Sequence, residues 1–228
     1  MTQPYEGIIQ RDGRTRAIVT RIPAGMVTPG DLETIAGVAR KYHIPVLKIT
    51  SGQRFLLAGI APEDIPSVIR ELGPLAQPET APCVKFVQAC PGTECCKYGN
   101  QDAVALARAV DGRFRHAHFA AKVKIGISGC PRSCGESHTR DIGMMGTNKG
   151  WTVLFGGNGG TRPRFGDVIA LGLSATEALD CTERLLEYYR KQAKPHERTA
   201  RFMERVGMKT IKGDVVSMMP YVQMAADR

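Results

Sequence analysis

Two pairs of closely spaced cysteines lie in the middle of the chain. Cys90 and Cys96 belong to the segment ACPGTECCKYG, and Cys130 and Cys134 belong to SGCPRSCGES. Proline follows the first cysteine of each pair, and glycines are frequent in both segments, which is typical of loops. Four thiolates from two loops suit a soft metal centre, and their irregular spacing favours an iron–sulfur cluster over zinc.

Other interpretations of the cysteines stay open at this point. The chain has seven cysteines, an odd number that disfavours a disulfide framework, and a structural zinc site with four cysteine ligands is an alternative to a cluster. Cys95 lies directly before Cys96 and is a second candidate for the same ligand position. Cys83 and Cys181 lie outside the two segments, and we interpret both as core residues.

The chain is basic and of ordinary globular composition. It has 228 residues, of which 43% are hydrophobic, and its formal net charge is +9. Such an excess predicts an anionic partner. Only 6% of the residues are aromatic and no nucleic-acid-binding motif is present, so we expect small anionic ligands rather than nucleic acid. Without a long apolar run or a secretory leader, we expect no membrane contact and a cytoplasmic location.

The first third of the chain predicts a ferredoxin-like module. Apolar periodicity and the positions of proline and glycine predict elements in the order βαββαβ, which indicates an α+β fold. A stretch with three prolines near residues 74–82 suggests a boundary, so we assign the first module to residues 12–80. The predicted elements are strands at 15–22, 46–50, 54–59 and 84–89 and helices at 31–42 and 62–72.

The remainder of the chain predicts a second α+β module over residues 81–195. A helix is expected at 101–110, with strands at 122–128, 142–144 and 152–155. A long helix begins at Ser174, because Ser174 and Glu177 have the spacing of a capping box. Residues 196–228 form a basic, partly helical extension that packs either on the core or on a neighbouring molecule.

The predicted strand 122–128 leads directly into Cys130. One face of it carries Lys122, Lys124, Gly126 and Ser128, while branched apolar residues alternate on the other. This pattern predicts an anion pocket beside a cofactor, with Gly126 allowing a flat ring to approach the backbone. A solvent-exposed edge with two surface lysines is the alternative.

The segments CPGTECCKYG and KVKIGISGCPRSCGES resemble the cofactor-binding loops of the siroheme-dependent nitrite and sulfite reductases, in particular their small single-module members. The segments TRIPAGMVTPGDLETIAGVARKY and LKITSGQRFLLAGIAPEDIPSVIREL resemble the ferredoxin-like module of that family, and GWTVLFGGNGGTRPRFGD resembles the part after its cysteines. The resemblance covers about residues 14–195.

The resemblance implies two cofactors and a set of residues that bind them. A [4Fe–4S] cluster would be held by Cys90, Cys96, Cys130 and Cys134, and Cys134 would also bridge to the siroheme iron. Family spacing favours Cys96 over Cys95. Siroheme is rich in carboxylates, which gives the basic surplus a cause. Candidate siroheme contacts are Lys48, Arg54, Gly129, Gly157, Asn158, Arg162 and Arg164.

The activity implied by the resemblance is the six-electron reduction of sulfite to sulfide. Arg21, Lys122 and Lys124 fall where the family places cations that bind the substrate. Reduction of nitrite to ammonia is the alternative within the family, and a cluster-only electron-transfer module is an alternative of another class. An acidic ferredoxin-type protein is the expected electron donor. A homo-oligomer, contacted through residues 196–228, could supply the second module that larger members contain.

One segment departs from the family pattern. The family often has Thr-x-Arg-Gln after the first helix, whereas this chain has Thr50-Ser51-Gly52-Gln53. Glycine therefore replaces an arginine that lies near siroheme or substrate in the family, and Arg54 is a candidate to compensate. A second expected arginine, just before the first cysteine, is also replaced, because Phe86 occupies that neighbourhood.

Overall fold

The computed structural model describes residues 5–76 and 82–221 and divides the chain into two compact units. The first unit comprises Met1–Ala81 and the second comprises Pro82–Arg228. Among the described residues, no helix is both long and apolar enough to cross a bilayer.

The first unit consists of an antiparallel sheet and two helices. Strands Ile8–Ile9 (β1), Arg16–Val19 (β2), Val46–Ile49 (β3) and Phe55–Ile60 (β4) form the sheet in the order β1-β2-β4-β3. Helices Pro29–Lys41 (α1) and Ile65–Leu72 (α2) supply apolar residues to one core with β2 and β4. The buried side chains of that core include Ile18, Leu57, Ile35 and Val68. The α+β class is confirmed.

The last strand of the predicted βαββαβ pattern belongs elsewhere. Residues 84–89 do form a strand, but it pairs within the second unit, and the two-residue strand β1 lies beside β2 in the first sheet. The prediction that residues 84–89 complete the βαββαβ pattern of the first module was therefore wrong. Two exposed isoleucines gave no alternation from which β1 could be recognised.

The second unit is built on a mixed five-stranded sheet. Its strands are Val84–Ala89 (β5), Val123–Ser128 (β6), Ile142–Thr147 (β7), Gly150–Phe155 (β8) and Asp167–Leu173 (β9). They lie in the order β5-β6-β7-β8-β9, with β5, β6 and β7 parallel and the last two pairings antiparallel. The helices are Ala103–Phe114 (α3), Ala175–Gln192 (α4), Thr199–Val206 (α5) and Met208–Asp214 (α6). The edge strand β9 was not predicted, because Val168 and Leu171 are exposed and break the expected alternation.

The C-terminal helices α5 and α6 pack against the core of the second unit, to which they belong. Phe202 is fully buried, and its ring lies edge-on to those of Phe155 and Tyr189. Met203 and Ile211 are also buried. The sequence left open whether this basic extension packs on the core or on a neighbouring molecule. Helices α5 and α6 pack on the core of their own chain.

Helix α4 begins at the predicted capping box. The Ser174 hydroxyl accepts a hydrogen bond from the Glu177 backbone N–H, and the Glu177 carboxylate accepts one from the Ser174 N–H. The hydrogen bond from the Ser174 N–H, followed by the interaction with the Ser174 hydroxyl, lowers the pKa of the Glu177 carboxyl. The two bonds of the capping box also satisfy two backbone donors that have no partner within the helix.

We expect Ser174→Ala to lower the free energy of unfolding of the second unit by about 1 kcal/mol, because it removes the cap acceptor from α4. Trp151 is the single tryptophan and is buried in this unit, so urea-induced unfolding followed by its fluorescence measures the change. Ser217→Ala, a serine beyond α6, is the matched control. Equal losses for the two variants would contradict a role for the cap.

Candidate functional site

The parallel pairing of β5 and β6 brings the first cysteine of each pair to the same edge of the sheet. Ala89 lies opposite Ile127, and Cys90 and Gly129 follow within two residues of this pair. The Cys90 N–H donates to the Ile127 carbonyl at 3.0 Å, and the Gly129 N–H donates to Cys90 Sγ at 3.1 Å. Cys90 and Cys130 are both buried, so two thiols start from a fixed, adjacent framework.

The two cysteine loops interlock through glycines. A Cβ atom on Gly129 would lie 2.6 Å from Gly92 Cα, which is too short a distance for any side chain at position 129. The Gly129 carbonyl accepts hydrogen bonds from the N–H groups of Asn100 and Gln101, at 2.8 and 3.0 Å. The loop that carries Cys96 is therefore held on the loop that carries Cys130. Gly129, predicted as a siroheme contact, lies at this junction.

A network of hydroxyl groups shapes the loop around Cys134. The buried Ser128 hydroxyl accepts hydrogen bonds from the Gly135 N–H at 3.0 Å and from the Ser137 hydroxyl at 3.1 Å. Ser133 and Glu136 adopt left-handed backbone conformations, with φ of 58° and 55°. This tight loop leaves Cys134 exposed between two fixed turns.

The donor set fits an iron–sulfur cluster. All seven cysteines lie among the described residues, and all are free thiols; of the four predicted ligands, Cys96 is half-buried and Cys134 exposed. In the described ranges no group of three histidine, cysteine or acidic side chains is close enough to hold a single ion. A cubane cluster spreads its thiolates over a body several ångströms wide, so its ligands need not meet at one point.

A cation–aromatic contact joins the two loops at the surface. The Arg132 guanidinium lies 3.9 Å from the centre of the Tyr98 ring, and Lys97 Nζ lies 4.9 Å from it. Arg132 stands between Cys130 and Cys134, and Tyr98 lies two residues after Cys96. Sequence reasoning missed this pair, because the cysteine spacing does not indicate which of the other side chains in the two loops meet.

Lys124 and Lys122 differ in their surroundings. Lys122 is exposed, whereas Lys124 is half-buried with its Nζ 5.9 Å from the centre of the Phe86 ring. The Arg140 guanidinium lies over the same ring at 5.4 Å. Burial, followed by the nearby Arg198, Lys122 and Arg140, lowers the pKa of Lys124. This cationic face suits the binding of a small anion.

The expected role of Gly126 was wrong. A Cβ on Gly126 would lie 2.4 Å from the Gly135 carbonyl oxygen and 2.7 Å from Arg140 Cγ. The chain's own loop of residues 135–140 therefore fills the space in which a flat ring was expected to lie. The alternation of the strand was correct, but it could not predict which atoms cover the face.

The segment after β8 forms a closed hairpin that contains four predicted siroheme contacts. Asn158 and Arg164 exchange backbone hydrogen bonds at 2.8 and 2.9 Å, and the Arg164 guanidinium binds the Asp167 carboxylate and the Gly156 carbonyl. Gly157 packs on the backbone of residues 138–140. Arg162 is exposed, and its carbonyl accepts a hydrogen bond from the Asn158 amide. Their contacts with siroheme stay predictions.

The other predicted residues lie in the first unit. Arg21 is half-buried, and its N–H donates to the Leu75 carbonyl at 2.7 Å. Lys48 is exposed on β3. Arg54 is half-buried at the end of a turn, where its N–H donates to the Thr50 hydroxyl. Gly52, which replaces the family arginine, is buried. No observation tests the assigned roles of these residues.

The family comparison covers nearly the whole chain. Residues 80–220 match the family described as "Nitrite and sulphite reductase 4Fe-4S domain", and residues 8–75 match "Nitrite/Sulfite reductase ferredoxin-like half domain". The chain belongs to the nitrite and sulfite reductase family. The predicted family is thereby confirmed, and siroheme and a [4Fe–4S] cluster are the cofactors of that family.

Relatives of known name agree with this assignment. The chain is 44% identical over 214 residues to an assimilatory-type sulfite reductase of Nitratidesulfovibrio vulgaris, covering 94% of this chain and 98% of the relative. It is 38% identical to a nitrite reductase [NAD(P)H] of Bacillus subtilis, covering 90% of this chain and only 25% of that protein. A solved structure of dissimilatory sulfite reductase I shares the fold, with a TM-score of 0.79, 14% identity and coverage of 95% and 73% of the two chains.

We expect Cys96→Ser to lose most of its iron, whereas Cys95→Ser keeps the iron content of the unmodified protein. The reason is that Cys96 is the proposed ligand, while the neighbouring Cys95 lies outside the set of four. Iron and acid-labile sulfide per chain, measured after anaerobic purification, give the comparison. Loss of iron in Cys95→Ser alone would reverse the assignment.

We expect Gly126→Ala to lower the free energy of unfolding by about 2 kcal/mol, because the added methyl group overpacks the contact with Gly135 and Arg140. Gly112→Ala is the matched control, since a Cβ there meets no atom within 4 Å inside helix α3. That control should gain up to about 1 kcal/mol. Urea unfolding followed by Trp151 fluorescence measures both, and an unchanged Gly126→Ala would contradict the packing.

Proposed function

We propose that this protein reduces sulfite to sulfide. The observation that carries the proposal is the pairing of β5 with β6, which joins the two cysteine loops and places Lys124 on one of the same two strands. The name and full-length coverage of the N. vulgaris relative support sulfite as the substrate. Nitrite, reduced to ammonia, is the second candidate, because the B. subtilis relative is named for it.

Cys90, Cys96, Cys130 and Cys134 are the proposed cluster ligands, and Cys134 is the proposed bridge to siroheme. Exposure of Cys134 supports the bridging role, since a thiolate shared with a second cofactor has to face away from the core. The proposed modules are residues 12–80 and 81–195, followed by the extension 196–228. Lys48, Arg54, Gly129, Gly157, Asn158, Arg162 and Arg164 remain the proposed siroheme contacts.

Arg21, Lys122 and Lys124 are the proposed substrate-binding cations. When bound, siroheme and the cluster supply electrons one at a time to the substrate. The three side chains have a different role from the cofactors. Their positive charge attracts the sulfite oxygens and stabilises the negative charge that develops on them. The lowered pKa of Lys124 also makes its ammonium a better proton donor than an exposed lysine, which suits a reaction that releases water.

The proposed electron donor is an acidic ferredoxin-type protein. Lys97 and Arg132 are exposed on the two cysteine loops, which supports an acidic partner. Seven free thiols favour a reducing compartment, and we propose the cytoplasm. A homo-oligomer is also proposed, although the buried side chains of α5 and α6 direct their apolar faces to their own chain.

Steady-state reduction of sulfite and nitrite by the same preparation, with a chemical one-electron reductant, tests the proposed substrate. We expect the ratio kcat/KM to be higher for sulfite than for nitrite, because sulfite is the named substrate of the relative that this chain spans. Sulfide and ammonia are measured as products, and the absorption spectrum establishes that both cofactors are bound. A higher ratio for nitrite would overturn the proposal in favour of the second candidate.

We expect Lys122→Met and Lys124→Met each to raise the KM for sulfite by about tenfold, because each removes a charged hydrogen-bond donor to the anion. Iron and siroheme contents should stay unchanged. Lys149→Met is the matched control, since Lys149 is exposed in the turn between β7 and β8. A loss of iron and siroheme that accompanies the rise in KM in the lysine variants would indicate a structural role instead.

A further inference from the structure

A buried carboxylate lies next to the cationic face. The Asp141 side chain is 1% exposed and accepts hydrogen bonds from three different residues. The Lys124 backbone N–H donates to Asp141 Oδ2 at 2.8 Å, and Arg198 Nη2 donates to both carboxylate oxygens at 2.9 and 2.7 Å. The Thr199 hydroxyl is the third donor. An ionised carboxylate with so little exposure is stable only when it is paired and hydrogen-bonded in this way.

Asp141 ties three distant parts of the chain together. It immediately precedes β7, it binds the backbone of β6 at Lys124, and it receives Arg198 and Thr199 from the start of α5. The C-terminal extension is therefore attached to the sheet through Asp141, which also binds the backbone of Lys124, a proposed substrate-binding residue. Neither the cysteine motif nor the apolar periodicity accounts for this contact.

The Lys124 ammonium has no carboxylate partner in the part of the chain that the structure describes. Its Nζ lies 5.9 Å from the centre of the Phe86 ring, and three cations lower its pKa: Arg198, Lys122 on its own strand, and Arg140 from the loop before β7. Among the charges, Arg198 contributes most to lowering the pKa of Lys124, while Asp141 raises it by less. The negative charge of Asp141 raises the pKa of Lys124 only slightly, and the Asp141 carboxylate forms its ion pair with Arg198.

We propose that Arg198 is a positioning residue for Lys124: by pairing with Asp141 it keeps that carboxylate from capturing the ammonium, which stays available for the bound anion. This inference rests on the proposed function, because it assigns the anion to Lys124. Arginine suits this role since its planar group binds both carboxylate oxygens at once and stays charged.

Removal of Arg198 leaves a buried charge with an adjacent cation. In Arg198→Met the Asp141 carboxylate loses its bidentate partner, and the Lys124 ammonium is a cation on whose pKa that carboxylate already acts. Pairing with Asp141 raises the pKa of Lys124 and withdraws the ammonium from the anion. The effect depends on the charge of Asp141, so the double variant Asp141→Asn/Arg198→Met should relieve it. Arg198→Lys, which keeps a cation at this position, should retain most of the function.

The test measures the Lys124 amine directly in the holoenzyme. Competitive acetylation over a range of pH, read by peptide mass spectrometry, gives the pH at which Lys124 loses its proton. We expect this midpoint to move to higher pH in Arg198→Met, to return towards the original in the double variant, and to change little in Arg198→Lys. Arg201→Met is the matched control, because Arg201 lies on α5 and pairs with the exposed Glu204.

Steady-state kinetics with sulfite supply the second measurement. We expect the KM to rise about tenfold in Arg198→Met with kcat nearly unchanged, and to recover at least in part in the double variant. An unchanged midpoint in folded Arg198→Met would overturn the inference. If Arg198→Met fails to fold, Arg198→Gln takes its place, because it removes the charge and keeps an amide that can donate to Asp141. A raised midpoint and a raised KM in Arg198→Gln support the inference, and an unchanged midpoint overturns it.

The two proposals fail in different ways. If the acetylation midpoint follows the predicted pattern but Lys124→Met leaves the KM for sulfite unchanged, Arg198 does position Lys124, and the assignment of the substrate to that lysine is wrong. If Lys124→Met raises the KM but the midpoint does not respond to Arg198, the proposed function stands, and the positioning role is wrong.

Discussion

The parallel pairing of β5 and β6 is the interaction on which the site depends. The two strands end at the same level, so the residues that follow them, Cys90 and Gly129–Cys130, must lie side by side. Helix α3 lies between β5 and β6 in the chain and buries side chains that include Leu106 and Val110. Parallel sheets commonly have their ligand-binding loops at this edge, because the loops that follow parallel strands all begin there.

Few free carboxylates accompany the cations near the start of β6, the end of that strand opposite to Cys130. Lys122, Lys124 and Arg140 share one face of β6 and its covering loop, and the carboxylates nearby are bound by arginines: Asp141 by Arg198, and Glu136 by Arg140. A face that kept free carboxylates would repel a dianion and would pair with the lysines. Each of the two pairs has one buried member, so removal of its partner would leave a buried charge unpaired, which is costly.

Much of the fold could be predicted from the sequence, and the reasons for the failures are physical. Helix starts at capping boxes and alternating strands carry local signals, and the strand at 84–89 was found with its bounds. Its assignment to a sheet was wrong because strand partners are set by long-range contacts, which periodicity does not contain. Among the proposed site residues, the cysteines were selected by their spacing, and their role as ligands stays a prediction. Asp141 could not be selected, because one acidic residue before an apolar strand gives no indication that it is buried.

The attachment of Arg198 to Asp141 also has a consequence for biosynthesis. Ribosomes make proteins from the N-terminus, so all four cysteines and both lysines leave the ribosome well before residue 198. Until then the sheet around Asp141 has a carboxylate without its arginine. The electrostatic balance of this centre is therefore reached only after Arg198 has been made, later than the four thiols.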